Sequence, residues 1–128
     1  MNPREKHASL AKAVVERSRP VPRGAKAAKP MNRTEAAYEL VLRAREQAGE
    51  IAWYAFEGIT LKLAPDCRYT PDFAVMLAGG EIELHEVKGF MRDDAAVKLK
   101  LAAELFPFPI VVVRKRGAGW DVTRMRRD

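Results

Sequence analysis

From Asn32 onward the apolar positions fall at helical spacing. Ala37, Leu40, Val41, Ala44 and Ala48 form one stripe and Gly49 follows as a stop, so the pattern predicts a first helix with Asn32 as its N-cap. Residues 51–63 change period: they are rich in aromatic and β-branched types, and Ile59, Leu61 and Leu63 alternate with Thr60 and Lys62. That predicts one strand, or two short ones broken at Gly58. Pro65 to Arg68 reads as a turn with Cys67 as a loop residue, and Tyr69 to Leu77 alternates again. Gly79 and Gly80 offer the φ > 0 positions of a tight hairpin turn into a strand over Glu81 to Lys88. Pairing Leu77 with about Ile82 across that turn sets Asp72 roughly opposite Val87, with a slip of one residue left open.

Gly89 ends this strand, and Asp93 caps a second helix through about Leu105, on which Ala96, Val97, Leu101 and Leu105 share a face. Pro107 and Pro109 close the helix. The short apolar run from Ile110 to Arg114 predicts a strand buried on both faces, and Trp120 to Thr123 is a candidate edge strand. The order reads α-β-β-β-α-β, with one more strand allowed for at the end. An α/β fold follows, with a mixed sheet flanked by a helix on each side, since a helix between the third and fourth strands permits a crossover to a parallel neighbour.

Composition changes this picture mainly at the N-terminus. Residues 1–30 carry eight Lys/Arg against Glu5 and Glu16, whereas residues 31–128 hold 15 basic and 15 acidic groups, so the whole net charge of +6 lies in the first segment. With Pro3, Pro20, Pro22 and Pro30 and little apolar surface, that segment reads as a basic arm, with a short helix allowed over Ser9 to Arg17 and a linker from Arg19 to Pro30. Residues 31–128 read as one domain. A basic arm on a neutral domain suits a polyanion such as DNA, and it equally suits a solvated leader. No apolar stretch is long enough to cross a bilayer and no secretion signal is evident, so the expectation is a soluble, cytoplasmic protein without a membrane partner. Cys67 is the only cysteine, and His7 and His85 are the only histidines, which leaves no disulfide, no zinc cluster and few nucleophile-histidine pairs.

The chemistry-bearing residues gather around the hairpin. In the strand to Lys88, the side chains of Ile82, Leu84, Glu86 and Lys88 share one face, while Glu83, His85 and Val87 take the other. Alone, Glu86 and Lys88 read first as a solvated strand end with an i, i+2 charge pair. Asp72 opens the preceding apolar run Phe73 to Leu77 and lies on the face of Ala74 and Met76, so two carboxylates and a lysine converge at one end of two adjacent strands. Carboxylates that close repel one another unless a divalent cation neutralises them, and hard oxygen ligands with open positions suit Mg²⁺ or Mn²⁺. Asp72, Glu86 and the Val87 carbonyl would hold the metal, while Lys88 would orient or help deprotonate a water and offset phosphate charge. Phosphodiester hydrolysis is the reaction that fits.

Thr70-Pro71-Asp72-Phe73 followed by Glu86-Val87-Lys88 resembles the PD-(D/E)XK nuclease superfamily over roughly Asn32 to Lys115. The runs Asn32 to Glu35, Trp53 to Glu57, Tyr69 to Phe73 and Glu86 to Phe90 look most like small phage and prophage proteins, similar to phage junction-resolving enzymes of the endonuclease I type. The resemblance implies a restriction-endonuclease-like αβββαβ core, a Mg²⁺-dependent endonuclease activity on DNA, branched DNA among its substrates, and the cytoplasm of a bacterial host. It also implies a glutamate early in the first helix as the last member of the site, where Glu35 stands. Asn32 and Glu35 have the spacing of a capping box too, and Glu35 lies away from the Ala37/Leu40/Val41/Ala44 stripe, so Glu39 is the substitute candidate.

Arg92, Lys98, Lys100, Arg114, Lys115 and Arg116 are candidate contacts to the nucleic-acid backbone, and each reads equally as a solvated charge. Trp53, Tyr54 and Phe56 read as core, and His85 as structural or exposed. Symmetric cutting would need two sites and hence a homodimer. The alternatives are a nicking or restriction-like nuclease on duplex DNA, and a DNA-binding protein of the same fold that does not cut.

Overall fold

Asn32 starts the first helix through its side chain: Oδ1 accepts from the Glu35 amide and the Asn32 amide donates to Glu35 Oε1, both at 2.8 Å. This closes a capping box at the head of α1 (Arg33–Gln47). The computed structural model describes residues 30–89 and 93–125. Residues 1–29 of the basic arm and the Arg92 contact lie outside the described residues.

The buried face of α1 differs from the sequence expectation. Tyr38 and Leu42 are its buried residues, while Leu40 is 60% exposed and Ala44 faces solvent. Tyr38 escapes an apolar count, yet its ring buries well once its hydroxyl has a partner. The true stripe therefore runs through Tyr38 and Leu42. Glu35, three residues before Tyr38 and seven before Leu42, lies on that same face, not away from it.

Five strands form the main sheet in the order β1-β4-β5-β6-β7: β1 (Ile51–Phe56), β4 (Phe73–Leu77), β5 (Ile82–Lys88), β6 (Ile110–Arg116) and β7 (Gly119–Met125). Between β1 and β4 the chain makes a separate hairpin, β2 (Leu61–Ala64) and β3 (Cys67–Tyr69), which turns at Pro65-Asp66. Residues 51–63 thus hold two strands, and Cys67 lies on a strand instead of in a loop. Neighbours in the sheet are antiparallel except β5 and β6, which are parallel and joined by α2 (Asp93–Leu105). The fold is α/β, with a mixed sheet and two helices.

The register of the central hairpin is set by its loop. The Leu77 amide donates to the Glu81 carbonyl at 2.8 Å and the Gly80 amide to the Leu77 carbonyl at 2.9 Å. Ala78, Gly79 and Gly80 thus form a three-residue loop in which Gly80, at φ 95°, takes the left-handed conformation. A two-residue turn with both glycines at positive φ does not form. Met76 consequently pairs with Ile82 and Phe73 with His85, and continuing the ladder by one step sets Asp72 opposite Glu86, not Val87.

Each sheet face carries its own core. Tyr38, Leu42, Ile51, Phe73, Val75, Val87, Val111 and Val113 pack on the α1 side. Ala74, Ile82, Leu84 and Ile110 pack with Leu99, Ala102 and Ala103 of α2 and with Leu61 and Tyr69 of the small hairpin. The expected face of α2 is again the wrong one: Val97, Leu101 and Leu105 are exposed by 56%, 39% and 54%. The helix has two apolar stripes, and the one with alanines at 102 and 103 faces inward, where small side chains let the helix approach closely. Among the described residues no helix is long and apolar enough to cross a membrane.

Candidate active site

At the Lys88 end of the sheet, the β4–β5 ladder stops at Phe73 and His85, and side chains take over from backbone pairing. The Val87 amide donates to Asp72 Oδ2 at 2.8 Å, and the Asp72 amide approaches Glu86 Oε2 at 3.4 Å. The Asp72 carbonyl accepts from the Glu57 amide at 2.7 Å, which fixes its backbone against the end of β1. In an extended strand the N–H and C=O of one residue face the same neighbour, so the Val87 carbonyl also lies on the Asp72 edge of β5. From β3, the Tyr69 hydroxyl donates to Glu86 Oε2.

Burial and crowding leave their mark on both acids. The Asp72 carboxyl is pushed up to about 8, first by burial, then by the Glu86 charge and with help from Glu35, against the lowering effect of the Val87 amide. Glu86 is raised by burial and by the Glu35 charge, while the Tyr69 hydroxyl and the Asp72 amide pull the other way. The pair therefore favours one shared proton or a bound cation. The Glu35 charge on α1 thus acts on both Asp72 and Glu86, while the Glu35 side chain still caps its helix.

Among the described residues no three acidic or histidine side chains form a ready-made cation cage. The oxygens are turned toward protein donors: Asp72 Oδ2 to Val87, Glu86 Oε2 to Tyr69, and Glu35 Oε1 to Asn32. A cation could draw on the other oxygens of Asp72 and Glu86, the Val87 carbonyl and Glu35 once these side chains rotate away from their present partners. Glu39 instead pairs with Arg43, one turn along α1.

Lys88 is half-buried, two residues beyond Glu86 on the same face, and among the described residues it makes no ion pair. In the parallel ladder it stands beside Arg114, which is exposed and also without an ion pair among the described residues. Two cationic side chains thus stand side by side beyond Glu86 on its face of the sheet. Arg116 is engaged with Asp121 at 3.2 Å, and Lys115 lies 5.0 Å over the Trp120 ring. Lys98 is half-buried and Lys100 exposed on α2.

Tyr69 is the member that sequence reasoning missed as a site residue. Its hydroxyl three positions before Asp72 was the available signal, but Tyr69 ends a strand of the separate hairpin and the chain bends at Asp72 before β4, so strand alternation could not carry it to Glu86. His85 is buried, on the opposite face from Glu86. The chain matches no family model, no curated protein and no solved structure.

Proposed function

We propose that this chain is a Mg²⁺-dependent DNA endonuclease of the restriction-endonuclease-like fold, with Mn²⁺ as a working substitute. The observation that carries the reading is the placement of Asp72 against Glu86 at the end of the β4–β5 hairpin, with Lys88 and Arg114 side by side on the Glu86 face. Setting aside the β2–β3 hairpin and the last strand, the chain order is α-β-β-β-α-β, which supports the fold assignment.

In this reading Asp72, Glu86 and the Val87 carbonyl hold the cation, and Glu35 completes its oxygen shell. The bound cation supplies Lewis acidity and a more acidic water. Lys88 orients the attacking water and offsets charge on the scissile phosphate, and Arg114 binds a neighbouring phosphate. Lys98, Lys100, Lys115 and Arg116, with Arg92 and the basic arm, extend the anionic contact. Branched DNA is the proposed substrate of a phage-type homodimer acting in the bacterial cytoplasm.

The test uses a labelled four-way junction and a matched linear duplex, with Mg²⁺ or EDTA, and Lys88→Ala as control. Cleavage of the junction alone supports the proposal in full. Cleavage of both points to a duplex nicking or restriction-like nuclease with the same site. Metal-independent binding without cleavage makes the chain a DNA-binding protein that does not cut.

A further inference from the structure

On the sheet face opposite Glu86, four polar side chains form one continuous chain through the core. The Tyr38 hydroxyl lies 2.6 Å from His85 Nδ1, and His85 Nε2 lies 3.0 Å from Glu83 Oε1. Arg124 of β7 donates to Glu83 Oε2. A carboxylate only accepts, so His85 donates through Nε2–H and its Nδ1 accepts from the Tyr38 hydroxyl. The His85 hydrogen bond, and after it nearby positive charge including that of Arg124, hold the Glu83 carboxyl below its usual range against the effect of burial. Glu83 and His85 are 5% and 2% exposed.

Such a chain is an expensive way to fill a core, because apolar side chains of similar volume avoid the desolvation of the buried Glu83 and His85. Its placement gives it a use. Tyr38 stands three residues after Glu35 on α1, and His85 immediately precedes Glu86 on β5. Phe73, next to Asp72, meets the Tyr38 ring edge-on at 5.8 Å between centroids. Every acid of the site is thus adjacent to, or one turn from, a residue that this chain touches. The other contacts of α1 with the sheet are largely apolar and non-directional, whereas a hydrogen bond from Tyr38 to β5 fixes both the rotation and the height of the helix.

We propose that the Tyr38–His85–Glu83–Arg124 chain is a positioning device for Glu35, locking α1 against β5 so that the Glu35 carboxylate reaches the cation held by Asp72 and Glu86. This rests on the metal-site reading above. Outer hydrogen bonds that orient metal ligands commonly change affinity by about 10–100-fold when removed.

The experiment is a Mn²⁺ titration, followed by the electron-spin resonance of the free ion, on the full chain and on Tyr38→Phe, Glu35→Gln and the double variant. Tyr38→Phe removes the hydroxyl and keeps the ring. The expected result is a loss of about tenfold in Mn²⁺ affinity for each single variant and little further loss in the double. A hydroxyl that only stabilises the fold lowers the melting temperature, leaves Mn²⁺ affinity alone and leaves the Glu35→Gln loss equal in both backgrounds. That result overturns the positioning role while the metal site stands. Failure of the unaltered chain to bind Mn²⁺ overturns the metal site and the positioning role together. If Tyr38→Phe does not fold, Arg124→Gln at the half-exposed end of the chain takes its place: weaker Mn²⁺ binding supports the proposal, and unchanged binding overturns it.

Discussion

The amide of Asp72 lies 3.4 Å from Glu86 Oε2, and the amide just beyond Glu86, that of Val87, returns to Asp72 Oδ2 at 2.8 Å. Each acid thereby faces a backbone amide beside the other, which keeps the two carboxyls close. The Asp72 carboxyl, at about 8 in the folded protein against an ordinary 3.8, carries a proton that the unfolded chain releases. Between those values the folded state binds more protons, so this contribution is complete below about pH 4 and is lost as pH rises through 8. In EDTA, the unfolding free energy of the unaltered chain should fall relative to Asp72→Asn between pH 5 and pH 9, by on the order of 2 kcal/mol after allowance for solvent screening, and its melting temperature with it. Excess Mg²⁺ at pH 8 should reverse the loss, with about 2.7 kcal/mol expected at a hundredfold excess over Kd. Parallel pH profiles for the two proteins would show that Asp72 holds no such proton.

Glu35 has two roles that one substitution separates. Glutamine serves in a capping box as well as glutamate does, so Glu35→Gln should keep the helix start while removing charge from beside Asp72. Thermal stability in EDTA at pH 8 should hold or rise, and cation affinity should fall roughly tenfold. Glu35→Ala should lose the cap as well, by about 1 kcal/mol. Equal cation affinity in all three proteins, read by calorimetry, would leave Glu35 as a cap only.

Lys88 makes no ion pair among the described residues, so Lys88→Ala should barely change stability. Its effect should fall on the chemical step, with a drop of about 100-fold or more in cleavage rate and little change in DNA affinity. Arg114→Ala should do the reverse. Binding should weaken across all sequences, and the salt dependence of log K should become shallower by about one unit. An unaltered salt slope would remove Arg114 from the DNA surface.

Tyr69→Phe leaves Glu86 Oε2 without its strongest donor in a half-buried setting. The expected cost is about 1–3 kcal/mol, seen as a lower midpoint in urea unfolding without metal. Because the hydroxyl lowers the Glu86 carboxyl, its removal should also raise the pH at which cation binding sets in. A variant with the stability and pH onset of the unaltered chain would show the contact to be incidental.

The orientation of α2 is open to direct measurement. Leu101→Ser on the outward stripe should change stability by no more than about 0.5 kcal/mol, whereas Leu99→Ala, a position 2% exposed, should cost about 2–5 kcal/mol. The opposite ranking would restore the face that periodicity favoured.

Local chemistry was legible in the sequence where one residue type decides the outcome. Asn32 caps α1 because a short side-chain acceptor suits the free amides there, and strand alternation put Glu86 and Lys88 on the face of Ile82 and Leu84. The helix faces were not legible, because α2 carries two apolar stripes and only packing chooses between them. Tyr38 hid the face of α1 by being aromatic and polar at once, and with it the reach of Glu35 into the site. The buried Glu83 and His85 were also hidden, since charged residues on an alternating strand read as solvated until their partners on α1 and β7 are in place.

Gly80 and the three-residue loop around it have a consequence for how this chain can vary. Side chains alternate strictly along β5, so losing one residue between Leu77 and Glu81 and taking up the slip in the strand would trade its two sides. His85 would then point toward the small hairpin and Glu86 into the apolar layer under α1. A single codon deleted from an exposed bend, away from Asp72 and Glu86, would dismantle the acidic end of the sheet and the interior in one stroke, while most substitutions at Gly79 would pass unnoticed.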